Sequence, residues 1–275
     1  MEAQLSAVGT ALPPYQYDQA EVAEFMQGYL QLEGNKARWL KKAYEASGIG
    51  RRYSVLPDFK TANGYPHLFN GTIPATRDRM ATFEQEAGKL GQQAAERCLD
   101  RADADPGSIT HLITVSCTGL HAPGLDIELI ENLGLPTTTE RTGIQFMGCY
   151  AVFNALKSAS YIVQADPQAR VLITSVELCS LHFQGSQNQD QMLANALFGD
   201  GAGAALIEHT SVAGPGLWLK AFRSDLIPES KAEMTWHIGD EGFEMFLSRQ
   251  IPDHIKDSLK PTIDQLLSDN KDTYQ

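Results

Sequence analysis

Arg141-Thr-Gly-Ile-Gln-Phe-Met-Gly148-Cys149-Tyr-Ala-Val-Phe-Asn-Ala-Leu-Lys157 is the stretch around which the chain is organised. It reads as a short strand, a sharp turn at Gly148, and a helix beginning at or just after Cys149. Beyond the turn, Val152, Leu156, Ala159 and Val163 recur at helical spacing. Asn154, Lys157, Ser158 and Gln164 take the other side. A cysteine here would meet free backbone N–H groups and the positive end of a helix dipole. That setting is expected to lower the thiol pKa and favour the thiolate, the form that attacks a thioester. A buried structural cysteine is the alternative.

Working outward, the composition is that of a globular protein. At 275 residues the chain has room for one large or two ordinary domains. No run has the length and hydrophobicity of a membrane span, and the first residues lack the basic and apolar regions of a secretory signal. A formal charge of −12 argues against nucleic-acid or anionic-membrane partners. The cysteines, Cys98, Cys117, Cys149 and Cys179, form neither a CxxC pair nor a zinc pattern. Free thiols in a reducing cytoplasm are the simplest expectation.

Upstream of the cysteine, Leu5 to Thr10 reads as a strand. One helix is expected from an Asp18 cap through Tyr29, and another over Ala37–Glu45. The basic cluster Arg38, Lys41, Lys42, Arg51 and Arg52 fits either a solvated face or a landing site for the phosphates of an acyl carrier such as coenzyme A. Pro57–Thr76 reads as a long surface loop. A long helix over Thr82–Asp100 would turn Leu90, Ala94 and Cys98 inward. Ile109–Ser116 has the continuous apolar character of a buried parallel strand. A helix over Leu125–Leu133 follows.

Downstream, Arg170–Val176 reads as another buried strand. Alternating strands and helices predict an α/β layered fold with a mainly parallel sheet. Cys117, Cys149 and Cys179 would then gather at the C-terminal edge of that sheet, where sites form. The run Phe198-Gly-Asp-Gly-Ala-Gly203 precedes a strand rather than a helix, so it does not fit a dinucleotide loop. Small residues that let the backbone pass close to a buried site fit better. Leu217–Phe222 is expected to be a strand opening a second unit. Extended pieces at Thr235–Gly239 and Phe243–Leu247 and a helix over Asp253–Ser268 follow it.

Six stretches carry a resemblance. They are Val8-Gly-Thr-Ala-Leu-Pro-Pro14, Gly48-Ile-Gly-Arg-Arg-Tyr53, Cys117-Thr-Gly-Leu-His-Ala-Pro-Gly-Leu-Asp126, Met147-Gly-Cys-Tyr-Ala151, Ala196-Leu-Phe-Gly-Asp-Gly-Ala-Gly-Ala204 and Met234-Thr-Trp-His-Ile238. In this order they resemble the type III polyketide synthases, the chalcone and stilbene synthase family of thiolase-like condensing enzymes. The resemblance implies a layered αβαβα fold of two similar halves, usually in a homodimer. The N-terminal half (1–210) would be complete. Residues 211–275 would begin a C-terminal half that is cut short.

The implied chemistry loads an acyl-CoA starter on Cys149 and extends it by decarboxylative condensation with malonyl-CoA. Both thioesters are substrates, and no permanently bound cofactor or metal is implied. Phe198 falls on the aromatic gatekeeper and Trp236 on the second gatekeeper position. Cys117, Cys179 and His182 fall on cavity positions that influence chain length. Lys42 falls on one basic position near the CoA phosphates, while Trp39 and Ala46 occupy two others.

Family members complete the site with a His in a His-Pro-Gly-Gly stretch and an Asn in a Gly-Asn-x-Ser-type stretch. Neither stretch occurs in these residues. His182, His237 and His254 are the candidate replacements for the missing one, and none has a context that recommends it. The resemblance therefore implies a truncated or split synthase completed by a longer parent or a second polypeptide. The alternatives are a non-catalytic partner of a complete synthase and a ketoacyl synthase III-like enzyme. A cysteine hydrolase is a weak reading, because the nucleophile elbow wants Gly where Ala151 stands. An unfinished half would also leave apolar faces exposed.

Overall fold

A computed structural model of the protein describes residues 2–60, 68, 69 and 72–270. Strand β1 (Ala3–Ala11) is followed by β2 (Tyr15–Asp18), α1 (Gln19–Tyr29), α2 (Gly34–Ala46) and β3 (Arg51–Ser54). Asp18 caps α1, and Glu21 reaches back to its amide at 3.0 Å. Residues 61–67, 70 and 71 of the expected loop over Pro57–Thr76 lie outside the described residues. Helix α3 (Thr76–Ala102) follows, longer than predicted, with Leu90, Ala94 and Cys98 buried.

The next elements are β4 (His111–Ser116), α4 (Leu125–Leu133), β5 (Glu140–Gln145), α5 (Ala151–Ala165) and β6 (Arg170–Leu178). Then come α6 (Gln189–Leu197), β7 (Asp200–His209), β8 (Leu217–Trp218), β9 (Met234–Gly239), β10 (Gly242–Leu247) and α7 (Ile251–Asp269). The six-stranded sheet runs β5-β4-β6-β7-β1-β8. Only β5, β4 and β6 pair in parallel; β7 is antiparallel to both β6 and β1. The sheet is therefore mixed, not mainly parallel. β1 and β7 lie far apart in sequence, and no local pattern announces their pairing.

Strand alternation divides the core between the two faces. Leu112 and Leu172 face α3 and α4, whereas Ile113, Val115, Val171 and Ile173 face α5. On the first face, α3 lies directly on β1. A Cβ added at Gly9 would stand 2.1 Å from the Ala94 carbonyl oxygen, so only glycine permits that approach. Close approach is not what the glycines of β7 provide. An added Cβ at Gly201 or Gly203 meets nothing nearer than 3.9 Å. The important residue of that motif is Asp200. Its buried carboxylate accepts the Ser180 amide at 2.7 Å, the Ser180 hydroxyl at 2.6 Å and the Val55 amide at 2.9 Å.

The expected strand over Leu217–Phe222 shrinks to the two residues of β8. It pairs with Gln4 and Leu5, so it extends the first sheet rather than opening another. β9 and β10 form a separate hairpin. Helix α7 contains no buried residue.

Candidate active site

Three parallel strands end at one place. Cys117 follows β4, Cys149 follows β5 and Cys179 follows β6. Between β5 and α5 the chain turns sharply: the Phe146 amide bonds the Ser116 carbonyl, and Gly148 takes φ +98°. A residue with a Cβ is strained there. Cys149 is exposed and stands two residues before the first residue of α5. It opens into a cavity of about 840 Å³. Cys117, Cys179, His182, Phe198 and Trp236 line the same cavity. Lys42 does not; it is exposed on α2 and also lies outside a second cavity of about 1260 Å³ beside α1 and α2.

A carboxylate that sequence reasoning passed over organises the floor. Glu177 accepts the Cys117 amide at 2.9 Å and the Thr118 hydroxyl at 2.7 Å. The Thr118 hydroxyl accepts the Leu178 amide at 2.8 Å. Burial raises the Glu177 carboxyl to about 7, against the pull of these donors. Its signal was present in Val171-Leu-Ile-Thr-Ser-Val-Glu-Leu178, where it is the one charge in the run.

The expected low pKa of the nucleophile is not what the structure gives. Burial first, and the Glu177 charge second, raise the Cys149 thiol, with its own amide offsetting them in part. Cys149 precedes the α5 cap residue, Tyr150, and so stands outside the helix's first turn, within which the dipole effect is concentrated. Cys117 is raised by the same two causes and partly relieved by the Gly148 and Met147 amides. Cys179 is pushed well above the ordinary thiol value by burial.

His182 is fixed as a neutral ring. Its Nε2–H donates to the Thr118 carbonyl at 2.6 Å, and its Nδ1 accepts the Phe243 amide at 3.0 Å. A carbonyl only accepts and an amide only donates, so the partners set the tautomer. Burial lowers its pKa to about 3. The ring stacks on Phe243 with centroids 4.1 Å apart and meets Trp236 edge-on at 5.5 Å. Trp236 donates its indole N–H to the Cys117 carbonyl at 2.8 Å. Arg79 of α3 steadies the same turn by donating to the Leu181 and Phe183 carbonyls. His182 thus joins the sheet edge to the β9–β10 hairpin and has no free nitrogen for base chemistry. His237 is exposed on β9, whereas His254 of α7 lines the cavity. No histidine among the described residues hydrogen-bonds Cys149.

Comparison with known proteins agrees with this architecture. A family model described as the N-terminal domain of chalcone and stilbene synthases matches residues 1–211. The chain belongs to that family. It is 28% identical over 270 residues to a polyketide synthase of Dictyostelium discoideum, covering 96% of this chain and 8% of that protein. It is also 28% identical over 272 residues to an alpha-pyrone synthesis polyketide synthase-like protein of Mycobacterium tuberculosis, covering 97% of this chain and 68% of that one. Among solved structures, a polyketide synthase of the brown alga Ectocarpus siliculosus superposes with TM-score 0.91 at 28% identity. That match covers 98% of this chain and 73% of the other. The C-terminal type III polyketide synthase domain of Steely1, a type I/III hybrid from Dictyostelium, gives TM-score 0.89 at 27% identity, covering 98% and 74%. The fold is thus the mixed α/β, thiolase-like fold of type III polyketide synthases. Among the described residues no helix is long and apolar enough to cross a membrane.

Proposed function

We propose that this chain carries the acyl-loading part of a type III polyketide synthase, with Cys149 as the nucleophile. The observation behind this is the placement of Cys149 on a strand–glycine–helix turn, open to a cavity lined by Phe198 and Trp236. An acyl-CoA thioester would deliver its acyl group to the Cys149 sulfur and release the CoA thiol. Malonyl-CoA would then lose carbon dioxide and attack the acyl thioester. In this reading Lys42 contributes to holding the CoA phosphates, and Cys117, Cys179 and His182 shape the space for the growing chain.

The raised Cys149 thiol makes the missing base important. At neutral pH the sulfur mostly holds its proton, so these residues alone load slowly and a group that removes the proton speeds the step. We assign that task to the His of the family's His-Pro-Gly-Gly stretch, and enolate stabilisation to the Asn of its Gly-Asn-x-Ser-type stretch. Loss of one preorganised donor of this kind costs on the order of a hundredfold in rate. The 275 residues would therefore depend on further polypeptide for condensation, and they would work as a homodimer in the cytoplasm. We likewise assign residues 1–210 to the N-terminal thiolase-like half and 211–275 to the start of the C-terminal half.

A Cys149→Ala variant tests the nucleophile. Intact-protein mass spectrometry after incubation with an acyl-CoA should find the acyl adduct on the unmodified protein and none on the variant. An adduct of equal yield on the variant would remove Cys149 from the mechanism. The unburied α7 helix favours a second reading, a subunit that docks on a complete synthase without turning over itself. Co-purification with such a synthase, and no acyl adduct even in that complex, would support it.

A further inference from the structure

We propose that Cys117 and Cys149 can be joined by a hydroperoxide in a reversible disulfide, formed faster as pH rises, which closes the cavity when the two sulfurs join. Three thiols share this cavity, and their surroundings select one pair. The Gly148 amide donates to the Cys117 sulfur at 3.1 Å. Gly148 is the residue immediately before Cys149. Standard backbone dimensions put the Cys117 sulfur no more than about 7 Å from the Cys149 backbone nitrogen. Side-chain rotation and the glycine turn at φ +98° can close the remaining gap. Cys149 is exposed and the cavity is open, so a small oxidant reaches it.

Cys179 is the poorer partner. Its residue lies in the turn held by Asp200 through Ser180 and by Arg79 through Leu181 and Phe183. Burial also pushes its thiol up further than the other two. The Glu177 charge, which disfavours thiolates at Cys117 and Cys149, has no such effect on a neutral disulfide. A reduced pair not stabilised as thiolate leaves the disulfide comparatively resistant to reduction.

The chemistry balances with a hydroperoxide as oxidant. The Cys149 thiolate attacks one peroxide oxygen; the S–O bond forms, the O–O bond breaks, and the leaving hydroxide takes up the thiol proton as water. The Cys117 sulfur then attacks the sulfenic sulfur and gives up its own proton. The S–S bond forms, the S–O bond breaks, and a second water leaves. A dithiol reductant reverses the change. Formation of the bond does not depend on the proposed acyl transfer; only its consequence, blocked loading, rests on that reading.

The test treats the full chain with hydrogen peroxide, caps remaining thiols with iodoacetamide, and maps peptides by mass spectrometry. The expected result is a protein two hydrogen masses lighter, a cross-linked Cys117–Cys149 peptide pair, and full recovery of both thiols with dithiothreitol. The Cys117→Ala variant should instead gain one or two oxygens on Cys149 and lose no hydrogens. The Cys179→Ala variant should still cross-link. An oxygenated Cys149 beside a freely alkylated Cys117 in the unmodified protein would overturn the proposal. So would a cross-link between Cys149 and Cys179. A peroxide-treated protein that carries the disulfide but still accepts an acyl group would leave the bond standing and sink the loading role of Cys149.

Discussion

Residues 2–210 and residues 211–270 are held together in different ways. The first stretch supplies five strands of the six-stranded sheet, covered on both faces by helices, and its core residues form two continuous clusters; the second adds only the edge strand β8. In the second, a two-stranded hairpin and one helix contribute few buried residues. Leu226 is 91% exposed, and Ile255 and Leu259 of α7 are each more than half exposed. The second stretch is anchored at a few points, chiefly His182 against Phe243 and Trp236 against Cys117. The lesson is that stability and chemistry divide at the cavity. The first stretch supplies the nucleophile and the rigid floor, and the second supplies one wall.

That contrast can be broken by mutation. The largest expected loss is at Leu129 of α4, fully buried in the first core. Leu129→Ala should cost about 2–5 kcal/mol in denaturant unfolding. His182→Leu should follow at about 2–4 kcal/mol, because it strands the buried Phe243 amide and Thr118 carbonyl. An effect confined to the hairpin in hydrogen exchange, with global stability unchanged, would show the anchor to be local.

Glu177→Gln should act on both stability and reactivity. The folded carboxyl titrates at about 7 against an ordinary value of 4.5, so the folded state holds its proton more firmly. Stability from this group is full below pH 4.5 and falls as pH rises through 7, by on the order of 3 kcal/mol at most. The Gln variant should lose this slope. Its Cys149 should also be alkylated roughly 3- to 10-fold faster at pH 8, because one charge opposing the thiolate is gone. An unchanged alkylation rate would exclude Glu177 as a cause of the raised thiol. The smallest effect is expected on α7: Ile255→Glu should change stability by less than about 0.5 kcal/mol. A larger loss would mean that α7 is covered by a second copy or a partner in solution.

The legible parts of this molecule were those governed by local pattern. The boundaries of α4 were readable because Leu125, Leu129 and Leu133 recur at helical spacing and Gly134 stops the helix in the left-handed region. The turn at Gly148 and the gathering of three cysteines at the sheet edge followed from strand–helix alternation. What escaped depends on distant partners. The antiparallel insertion of β7 beside β1 joins residues about two hundred positions apart. The raised Cys149 thiol depends first on burial and then on Glu177, which belongs to another strand and shows no spacing relation to it. His182 reads as a cavity position, and nothing local shows that Phe243, sixty-one residues away, occupies its second nitrogen.

The most direct test of the central claim follows two events on the purified chain given an acyl-CoA starter and malonyl-CoA. Mass spectrometry reads acylation at Cys149, and release of labelled carbon dioxide reads decarboxylation. The account predicts acyl groups on Cys149 alone, formed faster as pH rises toward the thiol range, with no decarboxylation above background. Acylation at another cysteine, or polyketide formed by these residues without any added polypeptide, would contradict it.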